Sequence, residues 1–222
     1  MLEHLIDRVR ACNAIENIVL ATTNSAEDDI LEKWCSETGV WCYRGSPNDV
    51  LGRLCGAAET FEADLIVEVL GDNPLVHADL IGACLNRYAK TACDYVATVT
   101  NEYPCAPAKL NRFPIGIRVQ VFPRNILSRC EKLAKKPWSR EHATSFIAEN
   151  PDRFNTEFVE ANGAFACLNR PDLTFAVNYP ENLTLIRRIF ETCFQIDQNF
   201  SIEMAISAFD SDNTLHALMG QP

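Results

Sequence analysis

Asp64–Leu75 reads DLIVEVLGDNPL. Its first seven residues, 64–70, form a short, β-branched apolar run, which is the pattern of a buried strand. Gly71 lets the backbone turn. Asp72 then falls at the carboxyl end of the strand, where open α/β sheets present their ligands. A carboxylate there suits Mg²⁺, a hard cation that shares its oxygen ligands with phosphates. The same residues also suit a plain turn, since Asp, Asn and Pro all favour one.

Working outward, strands and helices alternate. Leu2, Leu5, Ile6 and Val9 recur at helical spacing. NIVLATT (17–23) reads as a strand. Ser25 with Asp28 resembles a capping box for a helix ended by Gly39. VWCYRG (40–45) is a strand, and Ser46-Pro47 suggests a helix start. After Asp72 comes the helix ADLIGACLNRYA, then the strand DYVATVT (94–100). This alternation predicts an α/β fold with a mostly parallel, doubly wound sheet. Further on, IGIRVQVF (115–122), FNTEFVEA and LTFAVNY read as strands. SREHATSFIAENP reads as one short helix stopped at Pro151, and PENLTLIRRIFETCF as a long one. SIEMAISAFD closes the chain as a helical tail. The organisation expected is one α/β domain over residues 1–195 and a tail over 196–222. The proline-rich stretch 101–113 reads as a loop that covers a site or carries a lobe.

The 222 residues are 47% hydrophobic and 23% charged, enough for a packed core without staples. The net charge of -10 argues against sequence-independent nucleic-acid binding. Ten cysteines and four histidines are scattered, with no CxxC pair, so a zinc site is not expected. Most of the cysteines lie in apolar runs and read as buried reduced thiols. With no signal-like or membrane-length apolar stretch, a soluble cytoplasmic protein is expected.

RGSPNDVLGRL, LGDNPLVHADLI, DYVAT, SREHATSFIAENPDRF and AVNYPENLTLIRRIFE occur in this order. Together they resemble the cytidylyltransferases of the spore-coat polysaccharide type, relatives of the CMP-Kdo and CMP-sialic acid synthetases. The resemblance implies a nucleotide-diphospho-sugar transferase fold and transfer of CMP from CTP to a sugar with Mg²⁺. It also implies a homodimer. Asp72 matches the metal-binding aspartate of a Gly-Asp-x-Pro turn and is the catalytic candidate. Arg44, Ser46, Asp49 and Arg53 match a segment that borders the nucleotide pocket. Thr22, at a strand end, joins them as a nucleotide-binding candidate. Arg140 and His142 match an Arg-Glu-His segment on the sugar side, and Arg and His suit an acidic sugar.

Three departures stand out. The family's opening strand and its Arg-rich, anion-gripping loop are not matched here, because MLEHLIDRVR aligns with the helix that follows them. The expected sheet therefore lacks its first strand, which leaves unpaired edges or strands that close up. Asn178 stands where the family keeps a second metal-binding aspartate, so the metal set is Asp72 with Asn178. Arg118 and Gln120 replace two acids and are further substrate-binding candidates. These departures keep a second reading open: a non-catalytic relative or fragment that serves as a binding or assembly partner. A glycosyltransferase reading fails on context, because Asp210-Ser211-Asp212 follows a helix and not a central strand.

Overall fold

The computed structural model describes residues 1–102 and 107–219. Two sheets form. In the first, β1 (Val19–Thr23) pairs in parallel with β2 (Trp41–Gly45). The second has the order β3-β5-β4-β6, with β3 at Leu65–Val69, β4 at Tyr95–Thr98, β5 at Val119–Pro123 and β6 at Thr156–Val159. β4 and β6 are parallel, and β5 runs antiparallel to both of its neighbours. Among the described residues no helix separates β4 from β5, and the two strands pair antiparallel.

Alternate residues of the larger sheet feed two cores. Val67, Val69, Val96, Val119 and Val121 face one layer, built from α1 (Leu2–Arg10), α4 (Ala78–Thr91), α8 (Pro180–Phe194) and α9 (Ile202–Ser211). Ile66, Tyr95, Ala97 and Phe122 face the other, built from α3 (Val50–Thr60), α5 (Arg124–Leu133) and α7 (Ser145–Glu149). This is the doubly wound α/β arrangement expected. No ladder joins β1 to β3 among the described residues. Two helices hold the sheets together. α1 sends Leu5 and Val9 into the large core, and Ile6 onto Cys35 and Val40 beside the small sheet. α3 packs on β1 and β2, and its Leu51 and Ala58 meet Phe122. β1 and β3 stay half-exposed, whereas β4 is fully buried and β5 nearly so. That is the signature of strands with an open edge.

Several local expectations change. Asp49, not Ser46, caps α3, accepting from Gly52 N at 2.9 Å; Ser46 Oγ instead accepts from Asn48 N. Ser25 makes no side-chain cap to the 3₁₀ turn 26–28 or to α2 (Asp29–Thr38), because Asp28 is taken by Thr22 and Thr23. Gly39 does end α2, at φ 71°. SREHATSFIAENP splits into α6 (Pro137–Glu141) and α7, with His142–Thr144 between them. LTFAVNY makes a single bridge, Ile115 to Thr174, and no strand. IGIRVQVF is strand only from Val119. Part of the 101–113 loop, residues 103–106, lies outside the described residues.

The tail shares the large core through Phe200, Ile202, Ala205, Ile206 and Phe209, and through Leu215 of α10 (Asn213–His216). Arg8, 4% exposed, donates to the carbonyls of Val76 (2.9 Å) and Phe200 (3.0 Å) and lies over the Phe200 ring. The nine described cysteines are free. No described helix is long and apolar enough to cross a membrane.

Gly116, at φ 91°, lets the chain pass residues 174–176; a Cβ there would lie 2.2 Å from Ala176 N. Gly116→Ala combines backbone strain with that clash and should destabilise the chain by about 2 kcal/mol or more. Urea unfolding of the variant against the parent measures it.

Candidate functional site

The predicted residues gather in two groups. The first lies at the carboxyl ends of β1 and β2. Thr22 Oγ1 donates to Asp28 at 2.8 Å, and Thr23 Oγ1 to the same oxygen at 2.5 Å. Arg44 donates to Asp29 and Glu32 at 2.9 and 2.8 Å, and also to the carbonyls of Thr23 and Ser25. Arg53 binds the carbonyl of Ser46 at 2.7 Å and feels the charges of Asp28 and Asp49. Asp49 is paired with Arg140, which also reaches Glu131 at 3.2 Å.

The second group sits towards the carboxyl ends of β3 and β4. Glu68 and Gln120 are cross-strand partners, and Gln120 Nε2 donates to Glu68 at 2.8 Å. Gln120 Oε1 then accepts from Tyr95 Oη (2.5 Å), Arg118 Nη2 (3.0 Å) and Thr144 Oγ1 (2.6 Å). Arg118 and Gln120 are 3% and 2% exposed. The Gln120 amide is satisfied on both its oxygen and its nitrogen, which is what lets it stay buried. Glu68 is pushed up to about 7, chiefly by burial, against the pull of Arg118.

Asp72 follows β3 and stays partly accessible, while the neighbouring Asn73 is fully buried. The Asn73 amide bridges Asp72 Oδ1 (3.0 Å) and the Arg118 N–H (3.3 Å). Val177 N donates to the Asp72 carbonyl at 2.9 Å, one residue before Asn178. Burial raises the Asp72 carboxyl above its usual range. Burial likewise raises Glu102, which accepts from Gly116 N at 2.9 Å and feels both Arg118 and Asp72.

One segment connects the groups. Arg140 reaches back to Asp49, and four residues later Thr144 reaches Gln120. Between them the His142 ring packs against Trp138 at a tilt of 53°, with ring centroids 3.7 Å apart. The sequence reading missed Glu68, Tyr95, Thr144 and Glu102. Glu68 had a visible signal, a lone acid inside the apolar run LIVEV. Glu102 had none beyond its place after β4.

The cytidylyltransferase family model matches residues 1–162. The chain belongs to the cytidylyltransferase family. An uncharacterised protein of Methanocaldococcus jannaschii is 33% identical over 160 residues, covering 72% of this chain. That match spans only 61% of the relative's own length. The spore coat polysaccharide biosynthesis protein SpsF of Bacillus subtilis is 26% identical, with 86% of this chain and 75% of SpsF covered. In three dimensions, a cytidylyltransferase from Leptospira borgpetersenii matches with a TM-score of 0.83 at 21% identity. That match covers all of this chain and 86% of the other. A CMP:2-keto-3-deoxy-manno-octonic acid synthetase in complex with CTP matches at TM-score 0.57 and 13% identity, with 86% and 87% covered. These two likenesses establish the fold.

The cytidylyltransferase-family chain carries a titratable strain in Glu68. Its folded pKa, about 7, lies above the ordinary 4.5. The native state therefore holds more protons between these values, and stability falls as pH rises through that window. Between pH 5 and pH 8 this residue should remove about 1–3 kcal/mol. Glu68→Gln should flatten that part of the profile, as measured by urea unfolding of both proteins across the range.

Proposed function

We propose that this chain transfers CMP from CTP to a sugar hydroxyl for polysaccharide synthesis. The observation that carries the reading is the 140–144 segment. It bonds both Asp49 of the expected nucleotide-side motif and Gln120 of the expected sugar-side network, which supports reading these distant motifs together. Family membership and the likeness to SpsF support the substrate classes. In the reaction the sugar oxygen bonds to the α-phosphorus, the bond to the bridging oxygen breaks, and pyrophosphate leaves. The hydroxyl proton passes to solvent.

The donor set fits Mg²⁺. Asp72 offers a carboxylate and Asn178 an amide oxygen, both hard ligands. No group of three or more His, Cys, Asp or Glu among the described residues could cage a metal. Bound at Asp72 and Asn178, Mg²⁺ would neutralise charge on the phosphates. Asp72 holds its place through its own carbonyl and through Asn73, so the carboxylate is oriented before any ligand arrives. Arg44 and Arg53 supply positive charge at the ends of β1 and β2, positioned by Asp29, Glu32 and the Ser46 carbonyl.

The second reading, a binding or assembly partner, is favoured by Asn178, which brings no charge, and by the carboxylates that already hold Arg44 and Arg140. Pyrophosphate release from CTP and Mg²⁺ with a panel of sugars separates the two. The enzyme reading expects turnover, and Asp72→Asn should lower kcat/KM at least about 100-fold at unchanged or slightly higher Tm. Absence of release from every sugar, with CTP still bound, leaves only the binding reading.

A further inference from the structure

The stretch that leads into α8 is tied down residue by residue. Val177 N donates to the Asp72 carbonyl. The next two N–H groups, of Asn178 and Tyr179, donate to a single atom, Asn182 Oδ1, at 3.3 and 3.1 Å. Tyr179 is extended, at φ -134° and ψ 160°, as the residue before a proline prefers. The backbone on both sides of Asn178 is therefore committed. The Asn178 side chain is exposed and has no hydrogen-bond partner among the described residues, which leaves it free to meet an ion.

Asn182 is itself 4% exposed. Its nitrogen, Nδ2, donates to the carbonyls of Leu218 and Met219 at 3.2 and 3.0 Å. A side-chain amide offers two hydrogens and an oxygen that accepts twice, and here all four are used. Met219 returns to the same stretch, where its Sδ accepts from Thr174 N at 3.5 Å. A helix cap needs less than this. An amide at the third helical position has only to accept from the residue before the helix, here Tyr179. The bond to Asn178 and both bonds to the tail go beyond that role.

Resting on the reading of Asn178 as a donor toward Mg²⁺, we infer that Asn182 is a positioning residue for the site and that residues 218–219 help to hold it. The tail fixes the amide, the amide fixes residues 178–179, and these present the Asn178 side chain on the stretch bonded to Asp72. Asn178 brings a dipole and no charge, so its value to a cation rests on where its oxygen points. Groups that orient a metal ligand from behind are worth about 10–100-fold in affinity.

Two full-length variants test this. Asn182→Ala removes the whole set of bonds. Leu218→Ala combined with Met219→Ala keeps Asn182 but trims the side chains that pack residues 218–219 against the core. Mn²⁺ is the probe, its binding followed by electron paramagnetic resonance without nucleotide. Amide hydrogen exchange at Asn178 and Tyr179 is measured in the metal-free proteins. Asn182→Ala should weaken Mn²⁺ binding about tenfold. The double variant should weaken it in the same direction and speed exchange at both amides, although their acceptor is intact. Ile206→Val, a trim elsewhere in the tail, should lower the urea midpoint and leave Mn²⁺ affinity unchanged. The proposal is overturned by a parent chain that binds no Mn²⁺, or by unchanged affinity in either variant that keeps a urea transition. An equal loss in Ile206→Val also overturns it, since loss of stability alone would then be the cause. If one variant does not fold, the other decides. Weaker binding in the variants, with no pyrophosphate release from the parent and CTP, sinks the CMP-transfer reading and leaves the role of Asn182 standing.

Discussion

The constraint on which everything rests is the break in the sheet between β1 and β3. A continuous ladder would fix the two halves by backbone hydrogen bonds, whose geometry allows little choice of register. Here their relative placement is set by side chains, with α1 on one face and α3 on the other. The apolar stripe of α1 serves both halves at once, Leu5 and Val9 on one side and Ile6 on the other. The half-exposure of β1 and β3 follows from the same break, since neither has a neighbour on that edge.

Across that break run the polar connections of the site. Arg140 and Thr144 lie in a segment that cannot remain one helix, because His142–Thr144 interrupts it. The interruption lets two side chains four residues apart reach the start of α3 and β5. Two cations of this region, Arg44 and Arg140, are held by carboxylates of the chain itself, whereas Arg53 and Arg118 are held by neutral oxygens.

Most of the architecture was legible because its signals are local. The apolar runs at 19–23, 65–69 and 95–98 became strands, and helical spacing found α1, α4 and α8. Where reading failed, the deciding contact was distant. Ser46 looked like a cap, but Asp49 occupies that role while also held by Arg140, 91 positions away. LTFAVNY has strand composition, yet its backbone bonds are split between Ile115 and Asp72, so it forms one bridge and no ladder. Asp72 and Asn178 were singled out in the sequence, and in the fold Val177, next to Asn178, donates to the Asp72 carbonyl. Glu102 could not be singled out, since only folding carries it to Asp72 and Arg118.

Arg8 has one further consequence. Its guanidinium is buried in the opening helix, and one of its acceptors, the Phe200 carbonyl, lies 192 residues downstream. Until that residue has been synthesised, α1 has a cation to bury and no complete set of carbonyls to receive it. The burial of α1 thus waits on a contact of high sequence separation, and a segment made long after the helix is what completes its packing.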